Sequence, residues 1–68
     1  MKVYTLTSVY CDHHTLEAVD SNLQTLIDDW SLQHLPVFSS EEVEHEDFET
    51  PEEDHQGFSH CYYQEWDV

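Results

Sequence analysis

Two clusters of metal-binding residue types stand near opposite ends of the chain, Cys11-Asp12-His13-His14 and His60-Cys61. Thiolates and imidazoles in this mixture suit a tetrahedral zinc site, but their spacing matches no compact zinc motif. A site drawn from Cys11, His13, His60 and Cys61 would require the first and last strands to be antiparallel neighbours, which would bring Cys11 to the start of the last strand. The reading preferred is partly buried thiols and surface histidines, with no metal and no cofactor. Two cysteines are too few for a disulfide-stapled secreted miniprotein, and a reducing compartment keeps them as thiols.

The larger concentration of chemistry is acidic. Sixteen Asp and Glu face one lysine and no arginine, giving a formal net charge of -15. Nine of the carboxylates fall in one run: Glu41, Glu42, Glu44, Glu46, Asp47, Glu49, Glu52, Glu53 and Asp54. Paired carboxylates can hydrolyse bonds only when one acid titrates apart from the other in a concave, water-limited site. A run of exposed acids offers neither. The run also lacks the alternating Asp/Asn loop with glycine that cages calcium. With a single glycine, Gly57, no phosphate-cradling loop can be built, and no nucleophile motif is present. An enzyme is not expected.

The elements that must position these residues are few. A chain of 68 residues has room for one small core, so residues 1–68 are read as a single domain. Residues 3–10, VYTLTSVY, are almost all β-branched or aromatic and predict a strand. Leu16, Val19, Leu23, Leu26, Ile27 and Trp30 recur at helical steps and predict an amphipathic helix over residues 15–34, capped by Asp12 or by His14-Thr15 and ended by Pro36. Residues 39–57 form an acidic edge segment that only Val43 and Phe48 could anchor, with a short edge strand over Glu42 to Phe48. Residues 58–67 alternate again as a strand. The fold class expected is α+β, one amphipathic helix packed on a small antiparallel sheet. Positions 16, 19, 23, 26 and 30 are also spaced like a coiled-coil seam, so the chain is read as a monomer or a homodimer.

This charge repels phosphate backbones and anionic lipid, which excludes direct binding of nucleic acid or membrane. No apolar stretch is long enough for a transmembrane span or a signal peptide, so a cytoplasmic protein is expected. Asp28 and Asp29 sit late in the helix, where the dipole disfavours anions by about 0.3 to 1 kcal/mol each, so the charge is not confined to one tail. On a strand, Glu42, Glu44 and Glu46 would project about 6.6 to 6.8 Å apart, close to the spacing of successive phosphates. The partner such a surface fits is a basic nucleic-acid-binding protein.

In its size, its single Lys2 and its carboxylate series from Glu41 to Asp54, the chain resembles the acidic DNA-mimic inhibitors that phages and mobile elements encode against restriction enzymes, CRISPR effectors and nucleases. These families share no motif, so no residue role can be transferred. The resemblance implies a non-enzymatic inhibitor that occupies the nucleic-acid groove of a host defence protein, in the host cytoplasm. The partner-binding residues would be Asp28, Asp29, the nine acids and one exposed aromatic, Tyr63 or Trp66, while Leu6, Trp30 and Tyr62 pack inside. The other reading is an acidic module that regulates a transcription factor or other host protein through its aromatic strand and helix. His45 and His55 lie among carboxylates that favour their charged forms.

Overall fold

The β-branched stretch forms strand β1, Lys2–Tyr10, in the computed structural model, which describes residues 1–31 and 35–68. The chain then reverses in a tight turn at Cys11 and Asp12, with φ of 43° and 73°. Positive φ at both central residues is the geometry whose twist matches a two-stranded hairpin. The strand it returns, β2 (His13–Asp20), pairs antiparallel with β1. Residues 15–20 are therefore extended, which corrects the helix expected from residue 15. Leu16 and Val19 fit a helical stripe equally well, but hairpin pairing with β1 satisfies their backbone groups at once, through a turn that lacks the usual Asn-Gly signature. The coiled-coil seam beginning at residue 16 falls with that helix.

The helix α1 is short, Leu23–Ser31. Its cap is Asn22, whose Oδ1 accepts from the Thr25 N–H at 3.1 Å, and Asp20 Oδ1 in turn accepts from the Asn22 N–H at 2.8 Å. Asp12, His14 and Thr15 have no capping role. The expected continuation to residue 34, the stop at Pro36 and the packing of the Trp30 side chain lie outside the described residues.

Strand β3 (Val37–Ser39) and helix α2 (Ser40–Glu44) follow. The strand expected over Glu42 to Phe48 does not form, because Ser39 and Glu42 make a reciprocal capping box that starts a helix. Glu41 and Glu42 also lie in its first turn, where the dipole favours anions. Strand spacing of Glu42, Glu44 and Glu46 is thereby lost. The last strand, β4 (Phe58–Asp67), starts from a turn in which Asp54 Oδ1 accepts from the Gln56 and Phe58 N–H groups at 2.8 and 2.9 Å. Gly57 there has φ +93°, and a Cβ on it would stand 2.7 Å from the Tyr10 ring.

The four strands lie in the order β2-β1-β4-β3. β1 is antiparallel to both neighbours, whereas β3 runs parallel to β4, so the fold is α+β as expected but the sheet is mixed. A parallel pair needs a crossover, which residues 40–57 make between β3 and β4, while the connection from β2 to β3 carries α1 over one face of the sheet. That face holds the core: Leu6, Leu26 and Cys61, packed with Tyr4, Ala18, Leu23, Leu35, Val37 and Tyr63. Tyr62 lies on the opposite face and is half-buried there.

Candidate functional site

Strand alternation divides the site residues between two faces. On the helix face Tyr63 is half-buried against the core. Its neighbour in the sheet, Tyr4, donates its hydroxyl to Glu65 Oε1 at 3.1 Å, a bond that holds the phenol above its ordinary pKa. On the other face Trp66 is the exposed aromatic, with Nε1 donating to Thr5 Oγ1 at 2.9 Å.

The acids wrap the β3 edge. All nine from Glu41 to Asp54 belong to exposed residues. Glu41 borders a depression on the helix face beside Leu23, Tyr4 and Tyr63, and the segment then crosses to the opposite face, where Phe48 packs on Phe38 and His60. Asp28 and Asp29 are exposed on α1, so they belong to the helix face. The single lysine is elsewhere: Lys2 pairs with Glu65 at 3.4 Å, and the N-terminal ammonium lies 3.6 Å from Asp67. No lysine or arginine is left to neutralise residues 41–54. The one ion pair described within the run joins His45 to Asp47 at 3.8 Å. Two of the nine acids also serve the fold, Glu42 in the capping box and Asp54 in the turn before β4. Glu44, Glu46, Asp47, Glu49, Glu52 and Glu53 have no such structural bond among the described residues.

What anchors the acidic segment is aromatic. Phe38, Phe48 and His60 form a ring cluster with centroids 5.2 to 5.9 Å apart. His60 is only 4 % exposed. Its Nδ1 lies 2.8 Å from Ser59 Oγ, while the buried Nε2 has no hydrogen-bond partner among the described residues. Burial, with a smaller contribution from His14, holds its pKa below the ordinary imidazole value. Beside it is a cleft of about 270 Å³ lined by Val9, Asp12, His14, Val43, Phe48 and His60 among others. His14 Nδ1 is 2.9 Å from the Tyr62 hydroxyl across the same face.

Beyond Tyr62 this face is bare. Leu16, Val19 and Trp66 are 60, 57 and 47 % exposed, and neighbouring Val3 and Thr5 carry no charge. Sequence reasoning placed Leu16 and Val19 on the helix, weighed Asp12 and His14 only within the zinc cluster or as helix caps, and gave Phe38 and Phe48 no place in a site. Strict alternation would not have found this face, because an irregularity in the β1–β2 pairing between Leu6 and Thr7 puts Leu16 and Val19 on one face and Ala18 on the other.

The four residues weighed for zinc do not converge. Cys61 is buried on the helix face and His60 on the other, while Cys11 and His13 are exposed at the hairpin end. No disulfide joins Cys11 and Cys61. Among the described residues no group of three or more His, Cys, Asp or Glu is placed to hold a metal ion. No helix among them is long and apolar enough to cross a membrane. No family model, no curated protein and no solved structure matches the chain.

Proposed function

We propose that the protein is a non-enzymatic inhibitor whose acidic surface occupies the nucleic-acid-binding groove of a host defence protein, such as a CRISPR effector, in competition with DNA. One observation carries this reading: nine exposed carboxylates over residues 41–54 with no lysine or arginine to pair with them. Their mutual repulsion costs stability in a domain of this size, and a basic groove would relieve it while releasing counterions. The dimensions support it, because the long axis of 36 Å equals about one turn of duplex DNA, roughly 34 to 36 Å.

The test is titration of the protein into candidate effectors while DNA binding is measured at two salt concentrations. Inhibition that collapses as salt rises is the expected result. Absence of binding to any basic nucleic-acid site at low salt would remove the proposal. Replacing Glu44, Glu46 and Asp47 together with Gln, Gln and Asn should leave the fold intact. Partner affinity should fall by several kcal/mol, taking about 1 to 3 kcal/mol per well-placed charged contact.

The bare face of Leu16, Val19 and Trp66 favours a second reading, a module that binds a regulatory host protein through apolar contact, with the acids only tuning it. Salt separates the two, because apolar contact changes little with ionic strength.

A further inference from the structure

The open face inverts the usual order of an antiparallel sheet, whose solvent side carries the polar and charged residues. β1 gives this face Val3, Thr5 and Thr7, paired with Trp66, Gln64 and Tyr62 of β4. On β2, Val19 and Leu16 stand opposite Thr5 and Thr7. None of these residues is Asp, Glu, Lys or Arg, although the chain carries 16 acids. The charges of the three strands lie on the core side instead. Lys2, Asp20, Glu65 and Asp67 hold register positions there, and Glu17 accepts from Ser8 Oγ at 2.7 Å. Leu16, Val19 and Trp66 nevertheless stay exposed, and an uncharged patch of this kind marks a contact surface.

Electrostatics select the occupant. A basic partner would desolvate its lysines and arginines over a face with no carboxylate to pair with them, so it meets the acidic run and not this side. A second copy, also at -15, is repelled by every acid-bearing surface of the first. The uncharged face is where two copies touch with the least repulsion. It is also self-complementary, because Thr5, Thr7, Gln64 and Tyr62 each carry both a donor and an acceptor and can pair with the same set around apolar contact. Edge-to-edge pairing is disfavoured. Glu17 and the register irregularity between Leu6 and Thr7 give β2 the charge and bulge that guard sheet edges.

We propose that two copies of the chain pack face to face through this side of the sheet, about a two-fold axis running across the strands. The direction follows from the acidic segment, whose Val43 and Phe48 lie at the end of the face that holds Val9 and His60. An axis along the strands would set both segments at one end, whereas an axis across them sends the segments to opposite ends. The open part, three strands about 4.8 Å apart over roughly 20 Å of strand, spans about 300 Å² in plan. A contact of that size belongs with weak, transient interfaces, with a dissociation constant of about 0.1 to 1 mM. At the micromolar concentrations of an unfolding experiment the chain is therefore monomeric, with Leu16 and Val19 in water. Self-association of this kind is independent of what the acids bind.

Sedimentation equilibrium of the full chain from about 10 µM to 1 mM, at about 0.05 and 0.5 M salt, is the test. The mass should rise towards that of a dimer, and association should tighten by about fivefold at the higher salt as the like charges are screened. Groove binding has the opposite salt sign. Leu16→Glu and Val19→Glu each put an acid on the face and should weaken association at least about tenfold, while near-ultraviolet dichroism stays that of the folded monomer. Thr15→Glu adds the same charge on the core side of β2 and should change association by less than about twofold. By NMR, the Trp66 indole N–H signal should move with concentration in the wild type and stay still in Leu16→Glu. A chain still monomeric at about 1 mM and high salt, association that weakens with salt, or Leu16→Glu associating like the wild type would each overturn the proposal. So would a neutral host protein that binds this face of a persistently monomeric chain. None of these outcomes involves a nucleic-acid groove, so groove occupation stands or fails separately.

Discussion

The two faces of the sheet are built from the same three long strands and have opposite fates. On the helix face Leu6 and Cys61 are fully buried beneath α1. On the other face Val9 and His60 are the buried ones among the described residues, under an acidic segment held by Phe48 and Val43, and the remainder stays open. The difference separates the cost of folding from the use of the fold. One face gathers the apolar contacts that stabilise the domain, which frees the other to carry charge, a buried histidine and uncovered apolar residues that a minimal core would not tolerate.

The sharpest way to break this comparison is to remove matching volume from each face. Leu6→Ala and Leu26→Ala should each cost about 2 to 5 kcal/mol, a large part of a small domain's stability. Leu16→Ala and Val19→Ala should change it by no more than about 0.5 kcal/mol, since these side chains are already in water. Urea denaturation of the four variants measures both. Equal losses on the two faces would mean that the open face is covered in solution.

That asymmetry was only half legible in the sequence. β1 and β4 could be read because their residues alternate and are β-branched or aromatic over their full lengths. β2 could not, because Leu16, Val19 and Leu23 satisfy a helical period that continues into the true helix, and Cys11-Asp12 makes a hairpin turn with a Cys at positive φ and no glycine after the Asp. β3 is three residues long and gains its strand state from the parallel pairing with β4, a long-range contact that no local pattern encodes. The acidic run was plain as charge. Its shape was not, although Ser39 and Glu42 spelled out the helix start. The cleft was illegible, since Asp12, Phe48 and His60 meet only once both the hairpin and the β1–β4 pairing exist.

A second test acts where the two faces share a hinge. Gly57→Ala should destabilise by more than about 1 kcal/mol, because it places a side chain at φ +93° and against the Tyr10 ring. Thermal unfolding with near-ultraviolet dichroism would follow both the stability and the loss of Tyr10–Phe58 packing, now 5.0 Å between ring centroids. Ser39→Ala probes the anchoring of the acidic segment. It removes the Oγ acceptor of the Glu42 N–H, 3.2 Å away, and should cost about 1 kcal/mol. Hydrogen exchange should rise in residues 40–48 and stay unchanged in β1, and an equal rise in β1 would contradict independent anchoring of the acidic segment.

The smallest expected effect is a pH slope that belongs to the open face. His60 is held below its ordinary pKa in the folded state, whereas in the unfolded chain it titrates near about 6.5. Between those two values the unfolded state binds more protons, so stability rises with pH in that window. The contribution is fully present above about pH 6.5 and is lost as pH falls through the folded value. Carboxylates ordinarily titrate near about 4, so acidification to about pH 5 reaches the histidine before most of the acids. Urea midpoints for the wild type and His60→Phe, taken from about pH 7.5 to 5, isolate this residue from the other histidines because those are common to both proteins. The wild type should lose stability over that range faster than His60→Phe. Parallel curves would mean that the imidazole reaches solvent, and with it that the acidic segment does not seal its end of the open face.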